Sequence, residues 1–531
     1  MASEKLNTTL PRSPGWAEDS ARSRPSGISY VDLLTALFLP ALFIVCLASV
    51  QFSTPALVGT DGYYHVKIAR IMATEGLVLD FPWLPLTILN ERAFYDHHFL
   101  FHVALIPFTG FDLLAGAKWA SVIFASSAFL GFWWVLRQRR IRHPTLWSMG
   151  LLVVSDAFLF RMSMVRAQSL SLLVLVVGLH WMFSGRYRRL MLLGFLYVWL
   201  YDGFPLLLIL ASLFLVGKWL TEGELVFQPV LYSALGIGLG LLINPYFPDD
   251  ILFIFRHILP KLAGVTSIRV GNEWYPYQTK TLLDNSQLAL VAFIGGALAL
   301  GLNRRRMSVA TATSFLASVM FGWMLFQSRR FIEYFPPFSL MFAAFSWSDL
   351  LPGKPAAIGA SLSQSSSPSR PLALSNRQVG WLEGVALGII LVVGAWRTVP
   401  AAMERVSNSQ PYDRYAASAT WLAQNSPEGS RVFQTDWDDF TRLFYHNTHN
   451  TYLVGLDPTY LLLYDSVLYD LWARITDGTV ENPSKVIAEV FEAEYVFSDL
   501  GHTDFVRQAE GDPCLREIYR DHDSVIYQVA P

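Results

Sequence analysis

The residues that could do chemistry sit in short polar stretches at the ends of long apolar runs. TDGYYHVKIAR (60–70) places one carboxylate, Asp61, among Tyr63, Tyr64, His65, Lys67 and Arg70. At helical spacing Asp61 and His65 share one face, and Lys67 and Arg70 share another. Further along come Asp96, His97 and His98, then Arg161 and Arg166, then Glu273 in GNEWYPYQTK, and then Arg329, Arg330 and Glu333 in QSRRFIEYFPP. A carboxylate in such a setting can position or deprotonate an acceptor, or bind a divalent cation. Arginines can hold a phosphate and neutralise charge that builds on it. A charge near hydrocarbon costs about 2.5–3.5 kcal/mol on insertion scales when central and less at the interface. Charges gathered on one face therefore imply mutual pairing or a ligand.

Plainer explanations exist for each. Asp61 with Thr60 could cap a helix, and the DHH at 96–98 could be another cap with interfacial histidines. Glu273 beside Trp274 and Tyr275 could be ordinary interfacial loop. Arg329 and Arg330 could be snorkelling anchors, although anchors gather on the positive inner side. His446 and His449 in FYHNTHN read as surface residues rather than zinc ligands.

The elements that must position these groups are membrane helices. The chain has 531 residues, 53% hydrophobic and 15% charged. Apolar runs of about 18 residues or more match a bilayer core of about 30 Å. A formal net charge of -2 gives no reason to expect a nucleic-acid partner. The two cysteines, Cys46 and Cys514, cannot build a disulfide framework. Residues 1–30 read as a cytoplasmic tail, and the run at 33–52 is too long for a signal-peptide core, so it is expected to be a retained span. Window lengths predict about eleven crossings, with a short surface helix at 97–108 and a tight pair broken by DGFP (202–205). The basic clusters at 137–142, 186–189 and 304–306, and a Ser/Pro-rich linker at 349–378, then fall inside. Two long loops, 53–112 and 245–286, fall outside, within a transmembrane unit spanning 31–348; a last span at 379–397 leads into 398–531. This tail alternates β-like runs (RVF, TYLV, EYVFS, SVIYQV) with helical ones, predicting a small α/β domain on the same outer face.

Together these stretches resemble the catalytic subunit of oligosaccharyltransferases, within the GT-C superfamily of membrane glycosyltransferases. That family carries an outer-loop pattern like DxYYHxR, matched here by Asp61, Tyr63, Tyr64 and His65 in DGYYHVK. Glu273 in IRVGNE resembles the glutamate of a later family loop, and Arg330–Phe331 resembles a late Arg–Phe pair. The family's WWDYG motif corresponds to DWDDF (436–440), which keeps only Trp437 and Asp438 in place. An acidic pair that follows the third span in the family is absent: FRMSMVRAQS (160–169) has Arg166, Ala167 and Gln168 there.

The resemblance implies a GT-C-like helical membrane protein that transfers a sugar or oligosaccharide from a polyprenyl-(pyro)phosphate donor to a protein, glycan or lipid acceptor. Asp61 and Glu273 are the expected catalytic carboxylates. Tyr64, His65, Lys67, Arg70, Arg166, Arg329, Arg330, Trp437 and Asp438 are the expected substrate contacts. A Mg²⁺ or Mn²⁺ ion would be held by Asp61, Asp96, His98 and Glu273, or replaced by the cation Arg166. A polyprenyl-monophosphate-sugar donor is the alternative reaction. A lipid-linked glycan transporter and a non-catalytic scaffold are the rival classes. The expected location is a bacterial inner membrane, with the active face and tail domain periplasmic.

Overall fold

A computed structural model describes residues 30–110, 112–258, 271–304, 307–351 and 375–530. The N-terminal tail, part of the second long loop, Arg305 and Arg306 of the inner cluster and most of the Ser/Pro-rich linker lie outside the described residues.

Every predicted span is helical, but the helices are unequal. Among the described residues, five are long and apolar enough to cross a membrane: Leu113–Gln138, Pro205–Glu222, Thr279–Leu302, Val309–Gln327 and Arg377–Ser407. A sixth counts if Pro144–Leu152 and Asp156–Met162, bent by 83° at their junction, form one broken span. Helix length among the described residues does not reproduce the sequence-based expectation of about eleven full crossings. The windows at spans 4, 5 and 7 became helices Gln168–Phe183, Arg189–Leu200 and Gln228–Leu242, of 16, 12 and 15 residues. At about 1.5 Å per residue these fall short of a bilayer core of about 30 Å. Helix Phe335–Leu350 is buried along nearly its whole length, which is the mark of a bundle centre.

The bend in the third span has a local cause. Ser155 is extended, and its side chain accepts a hydrogen bond from Phe158 N–H, starting a new helix at Asp156. That second segment carries Arg161 toward Glu273 and Glu333. In the DGFP break, Pro205 occupies the first turn of Pro205–Glu222, where its missing N–H costs nothing. Arg189–Leu200 and Gln228–Leu242 lie backbone to backbone, because a Cβ on Gly236 would fall 2.1 Å from the Met191 carbonyl oxygen. The predicted surface helix forms as Phe99–Leu105, continued by a 3₁₀ turn to Phe108. Its Phe101, His102 and Leu105 are fully buried.

Helix Asn376–Ser407 runs ten residues beyond the predicted end of the last span before the tail domain begins. That domain is a five-stranded sheet in the order β2-β1-β3-β5-β4: β1 Arg431–Gln434, β2 Thr451–Tyr452, β3 Tyr495–Asp499, β4 Leu515–Arg520 and β5 Ser524–Val529. β1 pairs parallel with β2 and β3, while β5 pairs antiparallel with β3 and β4. Each strand run read from the sequence appears, with TYLV shortened to two residues; β4, whose polar faces hid it, is additional.

The tail domain docks on the long loop that contains helix Asp61–Glu75. Tyr64, Ile68 and Met72 of helix Asp61–Glu75 share one apolar core with Phe440, Leu443, Phe444 and Tyr452. The Arg442 guanidinium lies 4.5 Å from the centre of the Tyr63 ring. Tyr452 N–H donates to the Trp83 carbonyl at 2.8 Å, and Trp83 Nε1–H to the Thr448 carbonyl at 2.9 Å. Phe444→Ala should therefore destabilise the full chain by about 3–5 kcal/mol and expose the 408–415 connection to protease. Phe505→Ala, in the core on the other side of the sheet, should destabilise without that new cleavage. Thermal denaturation combined with limited proteolysis in detergent reads both outcomes.

Candidate functional site

Asp61 is the first residue of helix Asp61–Glu75. The preceding Gly59 turns the chain at φ 76°, a left-handed conformation glycine adopts freely. A Cβ on Gly62 would come 3.1 Å from the Val165 Cβ, so the helix start is pressed against the turn that carries Arg166. Thr60 makes no side-chain cap. Its hydroxyl donates to the Asp61 carboxylate at 3.4 Å, and that carboxylate is paired with Arg166. Capping alone does not account for Asp61.

Glu273 sits on a 3₁₀ turn, Asn272–Trp274, and Arg330 and Glu333 on another, Arg329–Glu333. Ser328 Oγ–H donates to the Glu273 carbonyl at 2.8 Å, and Arg329 N–H to the Tyr275 carbonyl at 3.1 Å, clamping the two turns together. The Glu273 carboxylate then receives Arg166 at 2.7 Å and Arg161 at 2.8 Å, with Arg330 at 3.6 Å. Arg161 also donates from Nε to Glu333 at 2.6 Å. Arg330 donates to the Tyr201 hydroxyl at 2.7 Å and lies 4.9 Å from the Trp274 ring centre.

Three guanidinium groups and three carboxylates thus form one continuous network: Asp61, Arg166, Glu273, Arg161, Glu333 and Arg330. Its exposure is graded. The Glu333 side chain is 1% exposed and that of Asp61 33%, so the network opens toward Asp61. Burial alone would raise the Glu273 pKa, but Arg166, then Arg161 and Arg330, outweigh it and hold the carboxyl well below the usual glutamate range.

Of the residues expected at the site, Asp61, Glu273, Arg166 and Arg330 converge. Several others do not. Tyr64 is buried against Phe440 and Phe444. Arg70 donates to the Thr109 carbonyl at 3.3 Å. Lys67 lies beside His446, whose pKa is pushed down to about 4 by burial, Arg442 and Lys67. Arg329 turns away to the Pro276 carbonyl and the Tyr277 ring. Six positions beyond Asp61, Lys67 cannot share its helical face, and Arg329 and Arg330, as neighbours, point in different directions. Trp437 does reach the Glu273 loop: its ring edge is 3.6 Å from where a Gly271 Cβ would sit. Asp438 belongs to a separate acidic group with Asp436, Asp439 and Asp499, where burial and then Asp436 raise its pKa to about 7.

His65 and Asp96 meet through a residue the sequence reading passed over, His102. Asp96 accepts from His102 Nδ1 at 2.7 Å, and His102 Nε2 lies 2.8 Å from His65 Nδ1. The His102 ring thus bridges the Asp96 carboxylate and the His65 ring through its two nitrogens. Burial, then His102 and Arg166, lower the His65 pKa well below its ordinary value, so the ring is neutral. Asp96 also accepts from His98 N–H at 3.0 Å. Tyr201, at the DGFP break, was likewise missed; the break itself was its only signal.

No protein-family model matches the sequence, and no curated protein matches it either. Solved structures do match. Archaeal oligosaccharyltransferase AglB from Archaeoglobus fulgidus, in complex with an inhibitory peptide and a dolichol-phosphate, is similar with a TM-score of 0.62 at 15% identity, over 91% of this chain and 72% of its own. ArnT from Cupriavidus metallidurans, bound to undecaprenyl phosphate, is similar at 0.56 and 15%, over 93% of this chain and 97% of its own. The arabinofuranosyltransferase AftD from Mycobacteria matches at 0.55 and 14%, over 93% of this chain but 40% of that much longer one. The chain has the GT-C glycosyltransferase fold.

Within this GT-C fold the expected cation site is not formed. Among the described residues no group of three or more His, Cys, Asp or Glu side chains could hold a metal ion. The four expected ligands are divided: Asp96 is committed to His102, and His98 packs its ring 5.7 Å from that of Tyr201. Asp61 and Glu273 do approach one another, but the Arg166 guanidinium lies between them and pairs with both. Mg²⁺ or Mn²⁺ does not fit these residues as they stand.

The pH dependence of this network follows from Glu273. Its folded pKa is depressed, so its stabilising effect is complete above the unfolded glutamate value of about 4.3 and is lost only as pH falls toward the folded one. Glu273→Gln should lower stability by about 3–5 kcal/mol, the usual penalty for breaking a buried pair. The gap in melting temperature from wild type should stay constant between pH 8 and 5 and narrow below about pH 4. A gap that widened on acidification would contradict the assignment.

Proposed function

We propose that this chain is a membrane glycosyltransferase, moving a sugar or oligosaccharide from a polyprenyl-(pyro)phosphate donor to an extracytoplasmic acceptor. The observation that carries the reading is the joining of Asp61, Glu273, Arg166 and Arg330, from elements up to 269 positions apart, in one partly open ion network on a GT-C fold. In this reading the acceptor oxygen or nitrogen attacks the anomeric carbon. The bond from that carbon to the phosphate oxygen breaks, and its electron pair stays on the phosphate. Arg330, held by Tyr201 and Trp274, takes up that negative charge. Asp61, the most open carboxylate of the network, receives the acceptor proton. Glu273 keeps three guanidinium groups in register. Trp437, reaching the Glu273 loop from the tail domain, borders the acceptor side.

Two further observations favour a lipid-borne donor. An apolar cleft of about 330 Å³ opens between helices Thr279–Leu302 and Val309–Gln327. Phe335, which lines it, follows Glu333 by two positions, so a polyprenyl chain seated there would lead to the arginines. AglB and ArnT are seen with dolichol-phosphate and undecaprenyl phosphate. The docking of Phe440 and Phe444 on Tyr64 supports one outer face shared by the first loop and the tail domain.

A polyprenyl-monophosphate-sugar donor with a glycan or lipid acceptor is the second reading. It is favoured by DWDDF, where Asp438 and Asp439 are drawn into an acidic group, and by the match in extent to ArnT.

The test is transfer from polyprenyl-phosphate- and pyrophosphate-linked donors by the purified chain. Asp61→Asn should reduce transfer at least a hundredfold while expression and melting temperature stay near wild type. Full activity in this variant would remove Asp61 from the chemistry.

A further inference from the structure

We propose that Arg166 is a built-in replacement for a divalent cation between Asp61 and Glu273, so that this chain works without a bound metal. The inference deepens the glycosyltransferase reading and rests on it for the activity arm of the test.

The geometry is that of a bridged carboxylate pair. Arg166 gives one guanidinium nitrogen to Glu273 at 2.7 Å and the other to Asp61. A guanidinium is planar and permanently charged, and its fork matches two carboxylates at once. A hard cation would bridge the same oxygens but must be supplied, dehydrated and held by several more oxygen ligands. Those ligands are missing: the 160–169 stretch has no carboxylate, Asp96 is committed to His102, and Glu333 is committed to Arg161. A second fixed charge, Arg161, lies on the same Glu273 oxygen at 2.8 Å. Two arginines therefore supply the charge of one divalent ion, and it cannot dissociate. The position of Arg166 in the turn at 163–167, pressed between Gly62 and the start of helix Gln168–Phe183, fixes where that charge sits.

The experiment is a Mn²⁺ titration followed by electron paramagnetic resonance, on the full chain in lipid nanodiscs. It compares wild type, Arg166→Gln and Arg166→Lys, and measures donor transfer with and without EDTA in parallel. Wild type and Arg166→Lys should bind no Mn²⁺ at sub-millimolar concentration, whereas Arg166→Gln, which bares both carboxylates, should bind it at least tenfold more tightly. EDTA should change wild-type transfer less than twofold. Equal Mn²⁺ binding by wild type and Arg166→Gln would overturn the proposal. So would wild-type transfer that falls more than tenfold in EDTA and returns with Mn²⁺. Should Arg166→Gln fail to fold, Mn²⁺ binding by wild type that Asp61→Asn abolishes would overturn it, and its absence would support it. A wild type inert with every polyprenyl donor would count against the transferase reading, while the resonance measurement would still decide the metal question.

Discussion

The structure turns on one guanidinium held between two carboxylates. Arg166 ties the start of helix Asp61–Glu75, through Asp61, to the turn at Asn272–Trp274, through Glu273. Neither partner is near it in sequence. Glycines at 59 and 62 allow the helix to begin where it does, and a serine cap at 155 starts the bent second half of a broken span, which carries Arg161. Buried charges are costly unless each is paired and hydrogen-bonded. Once the bundle excludes water from Glu333 and Arg161, the remaining members are obliged to close the network.

The tail domain is part of this construction rather than an appendage. Its Phe440–His446 helix packs on the helix that Asp61 begins, and its Trp437 ring lies beside Gly271 in the loop of Glu273. The domain therefore braces both carboxylate-bearing elements from outside the bundle. The Asp96–His102–His65 chain braces the helix from within. Positioning of this kind matters because groups displaced by even one ångström lose much of their effect on a developing charge.

Much of this was legible in the sequence, and the failures have identifiable causes. Long apolar windows located the helices of the bundle, yet they could not distinguish a helix that crosses a bilayer from one of 12 to 16 residues stacked inside the bundle, because hydropathy is the same in both. β4 was hidden because its burial is confined to its first residue and its later side chains are partly or fully exposed. Asp61, Glu273, Arg166 and Arg330 were found because ionised groups at the ends of apolar runs are conspicuous. Tyr64, Lys67, Arg70 and Arg329 were assigned with them by proximity in sequence, and helix geometry sends them elsewhere: Tyr64 into an aromatic core, Arg70 to a backbone carbonyl. His102 was missed because a histidine inside an apolar run gives no hint of which carboxylate it will meet. The four-ligand metal expectation failed on pairing: a carboxylate's partner is set by tertiary structure, and arginine reached Asp61 and Glu273.

The central claim is that Asp61 and Glu273 act through one shared arginine network, and coupling between them tests it most directly. The measurement is the transfer rate of Asp61→Asn, Glu273→Gln and the double variant, set against wild type under one donor concentration. If the two carboxylates serve one network, the double variant should be no more than about threefold slower than the worse single variant, because the first substitution already disables what the second would remove. Losses that multiply across the two positions would mean that each acts alone, and would contradict the account.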